Sequence, residues 1–250
     1  MDTNSKTPLK DNIHLSCNVL KLIACIIMAV DHVGYGVIHN YMKAHAMDIL
    51  PETYTNLNRA YDICHGIGRL AFPIFCFFIV EGFIRTRSVY KYALRLALFA
   101  VISEVPFDLG LYGTAFYWKH QNIILTFFIA ILMLMVLRFL ENSVSGLSAP
   151  VVFLTYVCTV IAFADAAYML NADSSWKCML LIAVLYLARS TGAFRLIAGA
   201  AAVAWEKYAP ISFILLYFYD PDIRPRLKYA FYVFYPLHLA LIYLIALLVI

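Results

Sequence analysis

Long apolar runs recur along almost the whole chain, at 19–38, 67–84, 90–107, 122–140, 149–170, 178–190, 193–206, 209–220 and 230–250. A helix crossing a bilayer needs about 20 mostly apolar residues, and several of these runs reach that length. The runs between 178 and 220 are shorter. The reading is about nine transmembrane helices, with eight to ten as the range. Helices are required, because continuous apolar runs lack the alternation of a membrane-barrel strand, and only a helix satisfies its backbone within one segment. Asp31 and His32 interrupt the first run and no small-residue cleavage site follows it, which argues against a cleavable signal peptide. The expected fold class is all-α: a polytopic transmembrane helix bundle, one domain over 1–250, with 1–18 as a short cytoplasmic segment.

Composition closes the other routes. The chain is 64% hydrophobic and 14% charged, little more than half the roughly 25% charge of a soluble domain. With 18 Phe and 18 Tyr it is too aromatic for disorder. The six cysteines show no C-x-x-C or paired spacing, so they read as packing thiols, with no metal site implied.

Charge then sets direction. With the N-terminus inside, Lys6, Lys10, Lys21, Arg85, Arg87, Lys91, Arg95, Arg138, Arg189, Arg195, Arg224, Arg226 and Lys228 fall at the cytoplasmic side. Lys43, Arg59, Lys119, Lys177 and Lys207 fall outside, and Arg69 lies just within a span. This is the positive-inside bias of an N-in, C-out protein. The net charge of +4 therefore marks orientation and not a nucleic-acid partner.

Charges at bilayer depth are costly and usually face a cavity or a partner. Counting back from Ile38 at ~1.5 Å per residue puts His32 about 9 Å below the outer surface. Asp31 and His32 point about 100° apart, so a carboxylate orienting His32 should come from another helix. The third run ends Glu104-Val105-Pro106-Phe107-Asp108. Glu104 and Asp108 share a face if the turn is regular, and Pro106 is expected to bend or end it. The second run begins Ile67-Gly68-Arg69, and the fourth opens His120-Gln121-Asn122. Four helices thus bring polar groups to one depth at the outer end, and snorkelling explains that set poorly. The longest connection, about 39–66, reads as an extracytoplasmic loop.

At the inner end, Glu81 and Arg85 are four apart and read as a local ion pair. Arg87, Lys91 and Arg95 follow, and Arg224, Arg226 and Lys228 precede the last run. This basic rim follows the positive-inside bias and also suits an anionic nucleotide or phosphorylated cofactor. In the last run Pro236 opens the helix ladder beside His238, about 12 Å from the inner edge.

Five ordered strings carry a family resemblance. LKLIACIIMAVDHVG (20–34), IGRLAFPIFCFFIVEGF (67–83), RLALFAVISEVPFDL (95–109), HQNIILTF (120–127) and YAFYVFYPLHL (229–239) resemble the TraX family of integral membrane proteins. The chain departs from that pattern at Asp173-Ser174-Ser175, where the family often has Asp-Tyr-Gly, and at Tyr219-Asp220-Pro221, where Tyr-Asn-Gly is common.

The resemblance implies membrane acyl transfer, since the family's namesake acetylates the N-terminal amine of a conjugative pilin. It also implies acetyl-CoA as the acyl donor and the bacterial cytoplasmic membrane as the location. On that basis Arg85, Arg87, Arg95, Arg224, Arg226 and His238 are candidates to bind acetyl-CoA from the cytoplasm. His32 is the expected general base, or an acetyl-carrying nucleophile. Glu104, Asp108 or Asp31 would orient it, and Asn122, Gln121 or Arg69 would stabilise the oxyanion. His120, Gln121 and Asp173 are candidates for the acceptor, which would be a peptide N-terminus, a sugar or a small amine. Two other classes fit the same residues: a proton-coupled transporter, for which intramembrane Asp, Glu and His form the relay, and a non-catalytic factor in appendage assembly. The transporter reading expects two related halves, and the sequence shows no such repeat.

Overall fold

The computed structural model describes residues 14–143, 146, 148–223 and 229–250. Among them every regular element is helical, and the only strand-like pairings are isolated bridges, Leu15 with Tyr219 and Gln121 with Ala172. The chain begins with α1 (Cys17–Val33), which passes without a break through a π-helical turn (Gly34–His39) into α2 (Asn40–Ala44). It returns through α3 (Pro51–Gly68) and α4 (Ala71–Arg85), followed by α5 (Val89–Tyr112), α6 (Ile123–Ser143) and α7 (Ala149–Met169). The remaining elements are α8 (Ser175–Leu187), α9 (Ala193–Ala202), a 3-10 turn (Ala209–Ile211), α10 (Ser212–Tyr217) and α11 (Ala230–Val249).

Five helical stretches are long and apolar enough to cross a membrane: Cys17–Ala44, Pro51–Arg85, Ile123–Glu141, Ala149–Met169 and Ala230–Val249. The protein is an all-helical membrane protein. α5 has the length, 24 residues, but carries Lys91, Arg95, Glu104 and Asp108 along it. α8 and α9 are apolar and shorter.

Helix boundaries follow local chemistry. Ser16 caps α1 by accepting from the Val19 amide at 3.2 Å, and Ser88 caps α5 through the Lys91 amide. α5 ends at Gly113, whose φ of +70° is left-handed and suits a residue without a Cβ. Asn122 caps α6, its Oδ1 accepting from the Ile124 and Leu125 amides at 3.0 and 3.3 Å.

Two readings change. The segment 39–66 is not a loop: α2 and α3 occupy most of it, and α3 packs along α1. α3 mixes Thr55, Asn56, Asn58 and Asp62 with apolar residues, so it escaped a search for continuous apolar runs. Pro106 does not end its helix, because α5 continues to Tyr112. Glu104 and Asp108 therefore do lie on one regular face.

The chain's connections gather at two ends. At one, Leu15 pairs with Phe218 and Asp220, Arg85 donates to the Pro221 carbonyl at 3.0 Å, and Arg189 meets Glu141 at 2.8 Å. At the other, Gln121 pairs with Asn171 and Asp173, while Lys177 and Arg69 converge on Glu206. Between them α4, α6 and α8 form the centre, where Phe83, Ile131, Leu134, Met179, Ile182 and Tyr186 are fully buried.

The contact that matters most for the site is made by absent side chains. A Cβ on Gly110 of α5 would stand 2.7 Å from the Leu239 carbonyl of α11, and one on Gly36 would stand 2.4 Å from the Gly110 carbonyl. Three helix backbones meet there, and none can yield as a flexible side chain would. Gly110→Val is expected to lose about 1–3 kcal/mol by overpacking. A lower melting temperature in detergent is the measurement; an unchanged one would show that the backbones are not in contact.

Candidate active site

α1 presents Cys17, Lys21, Cys25, Met28 and His32 on one face, because steps of four and three residues return to the same side of a helix. Four of these five line two adjoining cavities. The first opens at the basic end, measures about 300 Å³, and is walled by Cys17, Lys21, Glu81, Arg85, Arg95, Tyr219 and others. The second, about 110 Å³, is lined by Lys21, Cys25, Met28, Phe75, Ile79, Leu96, Ile124, Phe127 and Tyr235. They share Lys21, Phe78, Tyr92, Phe231 and Tyr232 as walls, so a basic mouth leads into an apolar slot. The Lys21 ammonium stands 5.2 Å from the Phe78 ring centre and 5.6 Å from that of Phe231, at the junction.

Tyr235 lines the upper cavity, and its ring meets the fifth residue of the α1 face. It lies edge-on to His32, with ring centres 6.3 Å apart, and to His238 at 5.5 Å. His32 Nδ1 and His238 Nε2 are 2.8 Å apart. His238 Nδ1 lies 2.9 Å from the Phe234 carbonyl, which can only accept. The tautomers follow from this chain of bonds. His238 carries its proton on Nδ1 and donates it to Phe234. Its Nε2 is then the acceptor, so His32 donates from Nδ1. The Nε2 atom of His32 is left as the basic nitrogen. A carbonyl, a positioning imidazole and a base imidazole form a relay with the logic of a Ser-His-Asp triad, without a carboxylate. A carboxylate was expected from another helix; the partner that the structure supplies is instead His238 of α11, which the sequence placed in the cofactor site.

None of the acidic and amide candidates bonds His32 among the described residues. Asp31 turns away from His32 and accepts from His65 Nδ1 at 2.8 Å. His65 Nε2 in turn meets Arg69, which reaches Glu206 at 3.4 Å, and Lys177 reaches the same carboxylate at 2.9 Å. Asp31 and Arg69 therefore share a partly exposed network linking α1, α3 and α8. A Cβ on Gly68 would fall 2.4 Å from that of Asp31, so this packing also depends on a glycine.

Asn122 has its amide committed as well. It donates to the Ala100 carbonyl at 2.8 Å and to Glu104, while its oxygen caps α6. Asp108 accepts from the Tyr117 amide at 2.7 Å. Glu104 Oε1 and Asp108 Oδ1 are buried without a hydrogen-bond partner among the described residues. His120 is exposed and stacks on Tyr112 and Tyr117. Gln121 and Asp173 are held together, since the Gln121 amide donates to Asn171 at 2.9 Å and the Asp173 amide to Gln121 at 3.1 Å. Asp173 lies within electrostatic reach of Tyr112 and Tyr235.

At the basic end Arg85 and Arg95 line the mouth, Arg87 is exposed and is not among the cavity walls, and Arg224 and Arg226 lie outside the described residues. Glu81 does pair with Arg85, at 2.9 Å, and also with the buried Arg195 at 2.7 Å. Arg195 further donates to the Leu185 carbonyl and covers the Phe77 ring. The sequence reading missed Lys21, Tyr235 and Arg195 as site residues. The first was within reach, because the face 17–21–25–28–32 is visible as a spacing.

Comparison with known proteins places these features in a wider context. A family model described as TraX protein matches residues 16–246. The chain is also similar to a probable fimbrial assembly protein FimC, serogroup H1, of Dichelobacter nodosus. The two are 28% identical over 263 residues, which covers 92% of this chain and 96% of that protein. No solved structure matches.

Proposed function

This chain belongs to the TraX family, and from that premise we propose that it is an acetyl-CoA-dependent acetyltransferase of the bacterial cytoplasmic membrane. The observation that supports this most is the passage: a basic mouth, an apolar slot, and a histidine relay beside the tyrosine at its head. These parts match an anionic nucleotide, a slender pantetheine arm and a reacting thioester in that order.

The residues divide the work as follows. Arg85, Arg95 and Lys21 hold the phosphates of acetyl-CoA with charge-assisted bonds. Cys25, Met28, Leu96 and Phe127 enclose the arm and keep water from the thioester. The acceptor, an amine or a hydroxyl, enters from the opposite end and loses its proton to His32 Nε2 as it attacks the thioester carbonyl. The imidazolium formed on His32 is held in place by its Nδ1–H bond to His238. Collapse of the tetrahedral intermediate expels the CoA thiolate, which takes the proton back from His32. The relative's name makes a subunit of a surface appendage the first acceptor to try.

Titration of the purified protein with acetyl-CoA, followed by mass spectrometry of protein and products, tests this reading. Saturable binding with release of CoA supports it, and an acetyl mark on His32 would select the covalent route over direct transfer. Absence of acetyl-CoA binding would sink it. A second reading, a non-catalytic assembly factor, is favoured by the name of the same relative. It expects appendages to assemble normally when His32 is replaced.

A further inference from the structure

Tyr235 takes no part in the relay, yet it occupies the point where the slot meets the imidazoles. It is 4% exposed, on α11, one turn before His238. Ile123, the first residue of α6, lines the same cavity, and its backbone amide lies within electrostatic reach of the Tyr235 hydroxyl. That amide belongs to the opening turn of a 21-residue helix, where amides lack partners within the helix and the dipole is positive. The positive end of that helix favours a phenol that donates a hydrogen bond well. The ring itself is held edge-on to both His32 and His238, which keeps the phenol at this junction. Of the residues first expected to stabilise an oxyanion, Asn122 has both amide hydrogens committed, Arg69 belongs to the Glu206 network, and the Gln121 side-chain amide reaches the His120 carbonyl at 3.5 Å.

We propose that Tyr235 is a further catalytic residue, whose hydroxyl donates a hydrogen bond to the thioester carbonyl oxygen as it becomes the tetrahedral oxyanion. This rests on the acyl-transfer reading. In the step, the acceptor's lone pair forms a bond to the carbonyl carbon and the C=O π pair moves onto oxygen. Tyr235 keeps its proton throughout and shares it with that oxygen. When the carbonyl re-forms, the C–S bond breaks and the thiolate is protonated by His32, so acyl-CoA and acceptor give acylated acceptor and free CoA. A donor that meets charge only in the transition state adds to turnover and not to ground-state binding.

The test compares wild type with Tyr235→Phe in detergent, using acetyl-CoA and the analogue in which sulfur replaces the carbonyl oxygen. Loss of an oxyanion donor is expected to lower kcat by about 10²-fold. The acetyl-CoA dissociation constant should stay unchanged, because the ring remains. Sulfur accepts hydrogen bonds poorly, so wild type should strongly favour the oxygen donor and Tyr235→Phe should lose most of that preference. Full activity of Tyr235→Phe, or a lower kcat with the oxygen preference intact, overturns the proposal. Should Tyr235→Phe fail to fold, the donor comparison on the unaltered protein decides alone: equal use of the two donors overturns the assignment. An inactive wild type that binds no acetyl-CoA would refute the acyl-transfer reading itself, a different outcome from a working enzyme indifferent to Tyr235.

Discussion

His32→Ala is expected to lower acetyl transfer by about 10²–10⁴-fold, the usual range for a positioned general base. The melting temperature and the affinity for acetyl-CoA should change little. The separation follows from geometry. His32 is half-buried at the head of the passage, and it touches His238 and Tyr235, not the cavity walls that would hold the nucleotide. Removing it leaves His238 still bonded to the Phe234 carbonyl, so only the neutral Nε2 acceptor loses its partner. His238→Phe should produce a smaller loss, because it removes the group that selects the His32 tautomer but leaves the base itself. A His32→Ala protein with undiminished acetyl transfer would remove the relay from the mechanism.

Lys21→Glu is the second large effect, and it is expected to weaken acetyl-CoA binding by about 10²-fold or more, since it deletes one charge-assisted contact and adds a like charge. The position explains the size. Lys21 stands where the wide and narrow cavities join, packed between the rings of Phe78 and Phe231, so its charge is less screened than one at an exposed rim. Arg87→Glu, at an exposed position away from the cavity walls, is the control and should have little effect. Isothermal titration at two salt concentrations checks both points. Equal loss in the two variants would mean that the whole basic end attracts the nucleotide and that the cavity has no special claim on it.

The bundle was legible because its most apolar helices read directly as runs of about 20 residues. α3 was not, since it pairs one face with α1 and leaves Asn58 and Asp62 in contact with each other on an exposed face. Its amphipathic pattern has no long apolar run to detect. Intramembrane His32 was conspicuous by its cost, and so was His238. Their partnership was not, because 206 residues separate them and no local spacing reports which helices become neighbours. Asn122 shows the opposite case: an Asn directly before Ile123-Ile124-Leu125 is a helix-cap pattern, and its capping role was available from sequence alone. Reading it as an oxyanion donor followed its depth and overlooked its position in the helix.

The passage also bears on how a bilayer protein with an internal hole stays tight. The wider cavity lies at the basic end, and at the far end of the narrower one the ring of Tyr235 lies against two imidazoles. Those three rings stand at the head of the passage. If the chain transfers acetyl groups as proposed, a large, highly charged carrier has no need to traverse the membrane, because only a two-carbon fragment is handed on at those rings. The glycine contact among α5, α11 and the π turn holds the helices that carry these rings in close register. Any variant that spreads those backbones should be judged first as a leak and only then as an inactive enzyme.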